Sequence, residues 1–150
     1  MSYLPLAINI EGKKILIIGG GKVALKKAKI LSQYTENITF LAKEFDKELL
    51  DNFNSYYFIQ KPYKAKYLKG FSIVYICTDN PKLNEKISKD AKRRKILVNV
   101  CDNPSLSDFI SPAIYKRGFM SIAVTSDATD VNKSIALRNR IREFLEDVGF

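Results

Sequence analysis

The sequence predicts an α/β fold, a parallel sheet with helices on both faces, followed by a short β-hairpin and a helix. Three observations carry this. Short apolar runs at residues 15–18, 38–42, 56–59, 72–77 and 97–100 have the length and composition of buried strands. Stretches with helical spacing of apolar residues lie between them, and strands alternating with helices make a parallel sheet. After Asp102 the alternation stops, leaving two strand-like runs and one amphipathic helix.

Residues 1–12 form a lead-in with Pro5 and a turn glycine, Gly12. The first strand, Ile15 to Ile18, runs into Gly19-Gly20-Gly21-Lys22-Val23-Ala24. A helix follows with Val23, Leu25, Ala28, Ile30 and Leu31 on one face, ending near Gln33. Strand, glycine turn and helix in that order are the context of a dinucleotide fingerprint. Gly19 makes the tight turn, Gly21 lets backbone approach a pyrophosphate, and Ala24 lets helix and strand pack closely. The helix N-terminus then turns free N–H groups and a positive dipole end toward the phosphates. The class is Rossmann-type.

The second strand, 38–42, is followed by Lys43 and Glu44. An acid at that distance from the glycines suits the ribose 2′-OH, whereas a cation suits a 2′-phosphate. Glu44 favours NAD as the cofactor. A short helix at 45–53 and a third strand at 56–59 come next. The stretch Lys61-Pro-Tyr-Lys-Ala-Lys-Tyr-Leu-Lys69 interleaves cations with tyrosines, like a single-strand nucleic-acid surface, though a solvated connection has the same composition.

The fourth strand, 72–77, ends at Thr78-Asp79-Asn80-Pro81, which supplies helix-start residues. The helix at 81–94 buries Leu83, Ile87 and Ala91, and the cations at 92–95 complement its dipole. The fifth strand is 97–100. Ligands of such sheets bind beyond the strand C-termini, so three tips are expected to meet: Gly19 to Gly21, Thr78 with Asp79, and Asn99 to Asp102. Beyond them, 107–115 and 119–125 read as strands joined at Lys116-Arg117-Gly118, and 131–148 as the final helix. A strand pair and one helix make a thin core, so this tail is expected to bury its apolar face on a second copy. The domains are therefore 1–104, binding the nucleotide, and 105–150, for dimerisation and the substrate cleft.

The chain of 150 residues is ordinary for a globular protein, 46% hydrophobic and 27% charged. No apolar run reaches the roughly 18 residues that span a bilayer, and residues 1–12 lack a secretory signal's pattern, so a cytoplasmic location without membrane partner is expected. There is no histidine and no CxxC, which argues against a zinc site or a histidine base; Cys77 and Cys101 read as buried thiols near strand ends. A net charge of +9 favours an anionic partner.

Several motifs in one order resemble the precorrin-2 dehydrogenase family, the N-terminal domain of siroheme synthases. They are Leu4-Pro5-Leu6, Gly19-Gly-Gly-Lys-Val-Ala24, Thr78-Asp-Asn-Pro-Lys-Leu-Asn84, Val98-Asn-Val-Cys-Asp102, Ser107-Asp-Phe-Ile-Ser-Pro-Ala113, Ile122-Ala-Val-Thr-Ser126 and Leu137-Arg-Asn-Arg-Ile141. The resemblance implies NAD-dependent oxidation of precorrin-2 to sirohydrochlorin in siroheme biosynthesis, by a homodimer. Some family members also insert Fe²⁺ or Co²⁺. It implies nucleotide binding by Gly19, Gly20, Gly21, Lys22, Val23, Lys43 and Glu44, and catalysis by Asp102. Thr78, Asp79 and Asn99 join the cofactor set from their strand tips. Ser126 and Arg117 are candidate contacts for an anionic tetrapyrrole; no metal ligands and no nucleic acid are expected.

Plainer readings stand beside these. Asp102 has the position of an Asx-turn or helix-cap residue before Asn103-Pro104. Ser126 can be an ordinary loop serine and Arg117 a solvated hairpin cation. The alternatives to the dehydrogenase are a bifunctional enzyme that also inserts Fe²⁺ or Co²⁺ into sirohydrochlorin, and a regulatory module that senses NAD(H) without turnover. Two departures from the family are expected to matter: Ser126-Asp-Ala-Thr-Asp-Val-Asn-Lys133 stands where relatives carry Ser-x-Gly-Gly-x-Ser-Pro, and the sequence ends at Phe150 where many relatives continue into a helical domain.

Overall fold

The computed structural model describes residues 1–149; Phe150, the end of the expected 105–150 segment, lies outside the described residues. The chain forms two compact units, one of Ile8–Phe109 and one of Met1–Ala7 with Ile110–Phe150. The first runs past residue 104, and the lead-in is divided between the two.

The first unit contains β1 (Ile15–Ile18), α1 (Lys22–Leu31), β2 (Ile38–Ala42), α2 (Lys47–Asn52), β3 (Tyr57–Gln60), β4 (Ile73–Ile76), α3 (Pro81–Arg93) and β5 (Leu97–Val100). The strands pair in parallel in the order β3-β2-β1-β4-β5. This is the expected Rossmann-type sheet, with its topological switch between β1 and β4.

Every residue of β1 and β4 is buried. Successive side chains leave a strand on opposite faces, and the core divides accordingly. Ile15, Ile17, Phe40, Ile73 and Tyr75 pack with Ala24, Leu25 and Ala28 of α1 and Leu49 of α2. Leu16, Ile18, Leu41, Val74, Ile76, Val98 and Val100 pack with Ile87 and Ala91 of α3 and with Leu68. Each fully buried Ile, Leu, Val or Phe among them contributes about 1.5–3 kcal/mol. Runs covered on both faces have no reason to alternate.

Local signals set the helix ends. Asn80 Oδ1 accepts from Leu83 N at 3.1 Å, and Pro81 stands where its missing N–H removes no bond. The basic stretch 61–69 is anchored: it forms a 3-10 turn over Ala65–Leu68 and buries Leu68. Tyr63 also donates its hydroxyl to Asp90 Oδ2 of α3 at 2.9 Å. Burial, and then that bond, push the phenol above its ordinary pKa.

Residues 107–112 are not the strand their composition suggested. Instead, residues 107–109 seal the outer edge of β5 with side-chain acceptors. Val98 N donates to Asp108 Oδ2 at 3.0 Å while Asp108 N donates to Val98 O at 2.8 Å. Val100 N donates to Ser107 Oγ at 2.8 Å, and Asn99 Nδ2 donates to Phe109 O at 2.9 Å. Ser88 of α3 donates its hydroxyl to Leu106 O at 2.7 Å. These bonds make 105–109 part of the first unit.

In the second unit β6 (Ala113–Arg117) and β7 (Met120–Val124) pair antiparallel, with Arg117 opposite Met120. Gly118, at φ +58°, takes the first turn position, as in a II′ hairpin. The final helix, α4 (Val131–Asp147), begins at Asp130, whose Oδ1 accepts from Lys133 N at 2.8 Å. Arg138 Nη1 of α4 donates to Ile114 O of β6 at 2.8 Å. Of the α4 side chains only Ser134 is buried, while Val131, Ile135, Leu137 and Phe144 are exposed.

The loop before α4 holds two non-glycine residues in left-handed backbone: Asp127 has φ +50° and Ala128 has φ +60°. An aspartate tolerates that region, but an alanine there meets the Cβ clash that disfavours left-handed turns. Replacing Ala128 by Gly relieves it against a smaller entropic loss in the unfolded chain. Ala128→Gly is expected to raise stability by up to about 1 kcal/mol, read as a higher Tm. Asp108→Ala leaves the buried N–H of Val98 unpaired and is expected to lower stability by about 1–3 kcal/mol in urea denaturation.

Candidate functional site

The C-terminal edge of the parallel sheet brings four strand ends together. Each ladder is carried one step past its strand. Gly19 N donates to Leu41 O at 2.9 Å, Cys77 N to Ile18 O at 2.7 Å, and Cys101 N to Ile76 O at 2.9 Å. The glycine turn therefore lies between the extensions of β2 and β4.

The glycines of this turn are required for different reasons. A Cβ on Gly19 would lie 2.5 Å from Cys77 O, and the φ of +131° is itself a glycine conformation. A Cβ on Gly20 would lie 2.0 Å from Glu44 O. Both contacts are with backbone and cannot yield cheaply. Gly20 O also accepts from Asp46 N at 2.8 Å, which fastens the turn to the loop after β2. Gly21 differs: a Cβ there would meet only Asp46 Oδ2, at 3.8 Å. No protein neighbour explains that glycine, whereas a ligand pressed against the backbone does.

Gly21 is the N-cap of α1, with no side-chain cap and no acid in the first turn. The N–H groups that open a helix have no intrahelical acceptor, so Lys22 and Val23 offer theirs at the turn. Val23 is 48% exposed, an apolar side chain left open at that helix end. Ala24 is fully buried against the sheet. An uncapped helix end with a glycine cradle fits a dinucleotide pyrophosphate.

Lys43 and Glu44 are exposed directly after β2, in the position of ribose-recognising residues. Asp46 was not singled out from the sequence, yet its carboxylate is the one next to Gly21. At the β4 tip, Thr78 donates its hydroxyl to Asn84 Oδ1, and Asn84 Nδ2 returns a bond to Thr78 O at 3.0 Å. Asn84 is a buried polar residue of α3 that fixes this loop. It stands in a quoted motif, but only its burial distinguishes it. The Thr78 hydroxyl thus holds the loop in shape, and Asp79 is exposed beside it. Asn99 is buried one step below the β5 tip, its amide committed to Phe109 O.

Asp102, past the end of β5, is exposed. The capping position open to it is filled by its neighbour: Asn103 Oδ1 accepts from Ser105 N at 3.1 Å and starts the following 3-10 turn. The Asp102 carboxylate is left without a hydrogen-bond or ion-pair partner among the described residues. In the second unit, Arg117 and Ser126 lie toward opposite ends of the hairpin, one at the Gly118 turn and one beyond Val124. Ser126 Oγ donates to Asp130 O at 2.8 Å and accepts from Asp130 N and Ser134 Oγ. That hydroxyl organises the loop. Among the described residues no group of three or more His, Cys, Asp or Glu side chains is arranged to hold a metal ion, and no helix is long and apolar enough to cross a membrane.

A family model described as "Putative NAD(P)-binding" matches residues 6–113. The siroheme synthase of Tolumonas auensis is 34% identical over 146 residues, 97% of this chain and 30% of that protein. That of Psychrobacter arcticus is 35% identical over 147 residues, 97% of this chain and 27% of that protein. The chain thus spans under a third of the length of these curated relatives. Among solved structures, SirC, precorrin-2 dehydrogenase, superposes with a TM-score of 0.71 at 22% identity, covering 97% of this chain and 70% of that one. This last is a likeness of fold.

The contrast between adjacent glycines is testable. Gly20→Ala is expected to destabilise the protein by about 1–3 kcal/mol, through overpacking against Glu44 O. Gly21→Ala is expected to keep thermal stability within about 1 kcal/mol while weakening NADH binding at least about tenfold. Calorimetric melting and a fluorescence titration with NADH separate the two effects.

Proposed function

We propose that this chain, which belongs to the NAD(P)-binding family matched over residues 6–113, catalyses the NAD-dependent oxidation of precorrin-2 to sirohydrochlorin. The observation that carries the reading is Asp102: an exposed carboxylate with no hydrogen-bond or ion-pair partner among the described residues, at the same sheet edge as an uncapped glycine-turn helix. The motif series shared with precorrin-2 dehydrogenases, and the likeness to siroheme synthases along nearly the whole chain, supply the substrate class.

In this reading the Gly19–Gly21 backbone and the N–H groups of Lys22 and Val23 hold the pyrophosphate. Glu44, Lys43 and Asp46 surround the adenosine ribose. The two carboxylates disfavour a 2′-phosphate and so favour NAD over NADP. The Thr78–Asp79 loop and the Asn99–Asp102 tip border the nicotinamide half. Bound there, the cofactor supplies the hydride acceptor.

The chain's own task is to orient the substrate carbon and remove protons. Asp102 accepts a proton from the macrocycle as it gains conjugation, a task open to a carboxylate that caps no helix and pairs with no cation. Arg117 and the net charge of +9 favour capture of a polycarboxylate, and Ser126 acts through the loop it organises.

The apolar residues that α4 leaves exposed favour a homodimer formed through the second unit. A cytoplasmic site of action agrees with the free thiols of Cys77 and Cys101.

The test is anaerobic. Precorrin-2 generated in situ is given this protein and NAD⁺, and the sirohydrochlorin spectrum and NADH absorbance are followed together; both are expected to grow in step. Asp102→Asn is expected to slow both by about 10²–10⁴-fold while leaving NADH affinity unchanged. Tight NADH binding without turnover by the unaltered chain would refute the enzyme and leave a nucleotide sensor.

A further inference from the structure

Cys77 and Cys101 stand far apart in the sequence, each one residue beyond its strand. The parallel register of β4 and β5 pairs Ile76 with Val100, so the next step pairs the two cysteines. Cys101 N donates to Ile76 O at 2.9 Å, which carries the ladder to this point. Residues paired in register point to the same face, and the two thiols lie near enough to shift each other's ionisation. Neighbouring strands lie about 4.8 Å apart, inside the roughly 4.4–6.8 Å between Cα atoms that a disulfide spans. That spacing is one a disulfide bridges. Both residues are half-buried and free.

Their surroundings make them unequal. The neighbouring Cys101 side chain raises the Cys77 thiol well above its ordinary pKa, and burial adds to this. The same pairing lowers Cys101, helped by the Lys27 ammonium and opposed by burial and by the Asp102 carboxylate. Asn99 Oδ1 is 3.9 Å from Cys101 Sγ. A thiolate therefore forms first on Cys101, beside the Cys77 thiol. Attacking and resolving thiols in thiol–disulfide exchange have this relation.

We propose that Cys77 and Cys101 form a reversible dithiol–disulfide site that reacts with low-molecular-weight disulfides. Cys101 thiolate attacks one sulfur of the disulfide RSSR, forming Cys101–S–SR and releasing RS⁻. Cys77 loses its proton to solvent and attacks the Cys101 sulfur, closing the Cys77–Cys101 bond and expelling the second RS⁻, and each thiolate leaves as RSH once protonated. Two protein thiols are oxidised and one disulfide is reduced to two thiols. The site does not depend on the dehydrogenase reading, since it needs only the β4–β5 register and an external disulfide.

The experiment uses the full chain, reduced, freed of reductant, and incubated with 2-hydroxyethyl disulfide. The products are alkylated under denaturing conditions and weighed intact. The expected product is a monomeric chain lighter by two hydrogens, with no adduct and no alkylatable thiol, restored by dithiothreitol. In Cys77→Ser the mixed disulfide is expected to accumulate on Cys101, at least about tenfold faster than on Cys77 in Cys101→Ser. A stable adduct on the unaltered chain, two thiols that remain alkylatable, or disulfide-linked chains on a non-reducing gel would each overturn the proposal. Equal rates in the two variants would overturn the assignment of Cys101 as the attacking thiol.

Discussion

The close approach of the glycine turn to two carbonyl groups, Glu44 O and Cys77 O, is the constraint on which the site depends. It is a steric condition on backbone: nothing larger than hydrogen fits at residues 19 and 20. Once met, it lets the ladder bonds of Gly19 and Cys77 run past the strands and aims the N-terminus of α1 across the switch between β1 and β4. Gly21 is free of this condition. The structural requirement thus falls on two residues of the triplet and leaves the third open to a ligand.

Much of this was legible in the sequence, for definite reasons. Strands buried on both faces are mostly apolar, so β1, β2, β4 and β5 appear as short runs broken only by Thr39 and Asn99, each found within a residue or so of its observed ends. Asn80-Pro81 announced α3, and the glycines announced the turn. What stayed hidden depends on neighbours distant in sequence. Residues 107–112 have strand-like composition, but their hydrogen bonds come from the Ser107 and Asp108 side chains, which periodicity does not describe. Asp46 and Asn84 become conspicuous only when the Gly21 contact and the Thr78 hydrogen bonds are seen. That Asp102 is uncommitted follows from Asn103 taking the cap, a choice between adjacent residues that both have capping chemistry.

The second unit follows a different physical logic. Its hairpin and helix cannot enclose a core of their own size, and polar bonds define much of its shape. Asp130 starts α4, Ser126 and Ser134 close the preceding loop, and Arg138 ties helix to strand. The loop holds two non-glycine residues in left-handed backbone, a local strain kept by the hydrogen bonds around it.

The sealed flank of β5 has a consequence for how copies of this chain can meet. An open parallel edge offers a row of N–H and C=O groups to any extended segment. Here Val98 and Val100 direct theirs to side chains and backbone a few residues downstream. On that flank a sixth strand, from this chain or another, would have to evict an aspartate and a serine before its first bond formed. Continuous-sheet assembly and strand exchange are blocked on that flank.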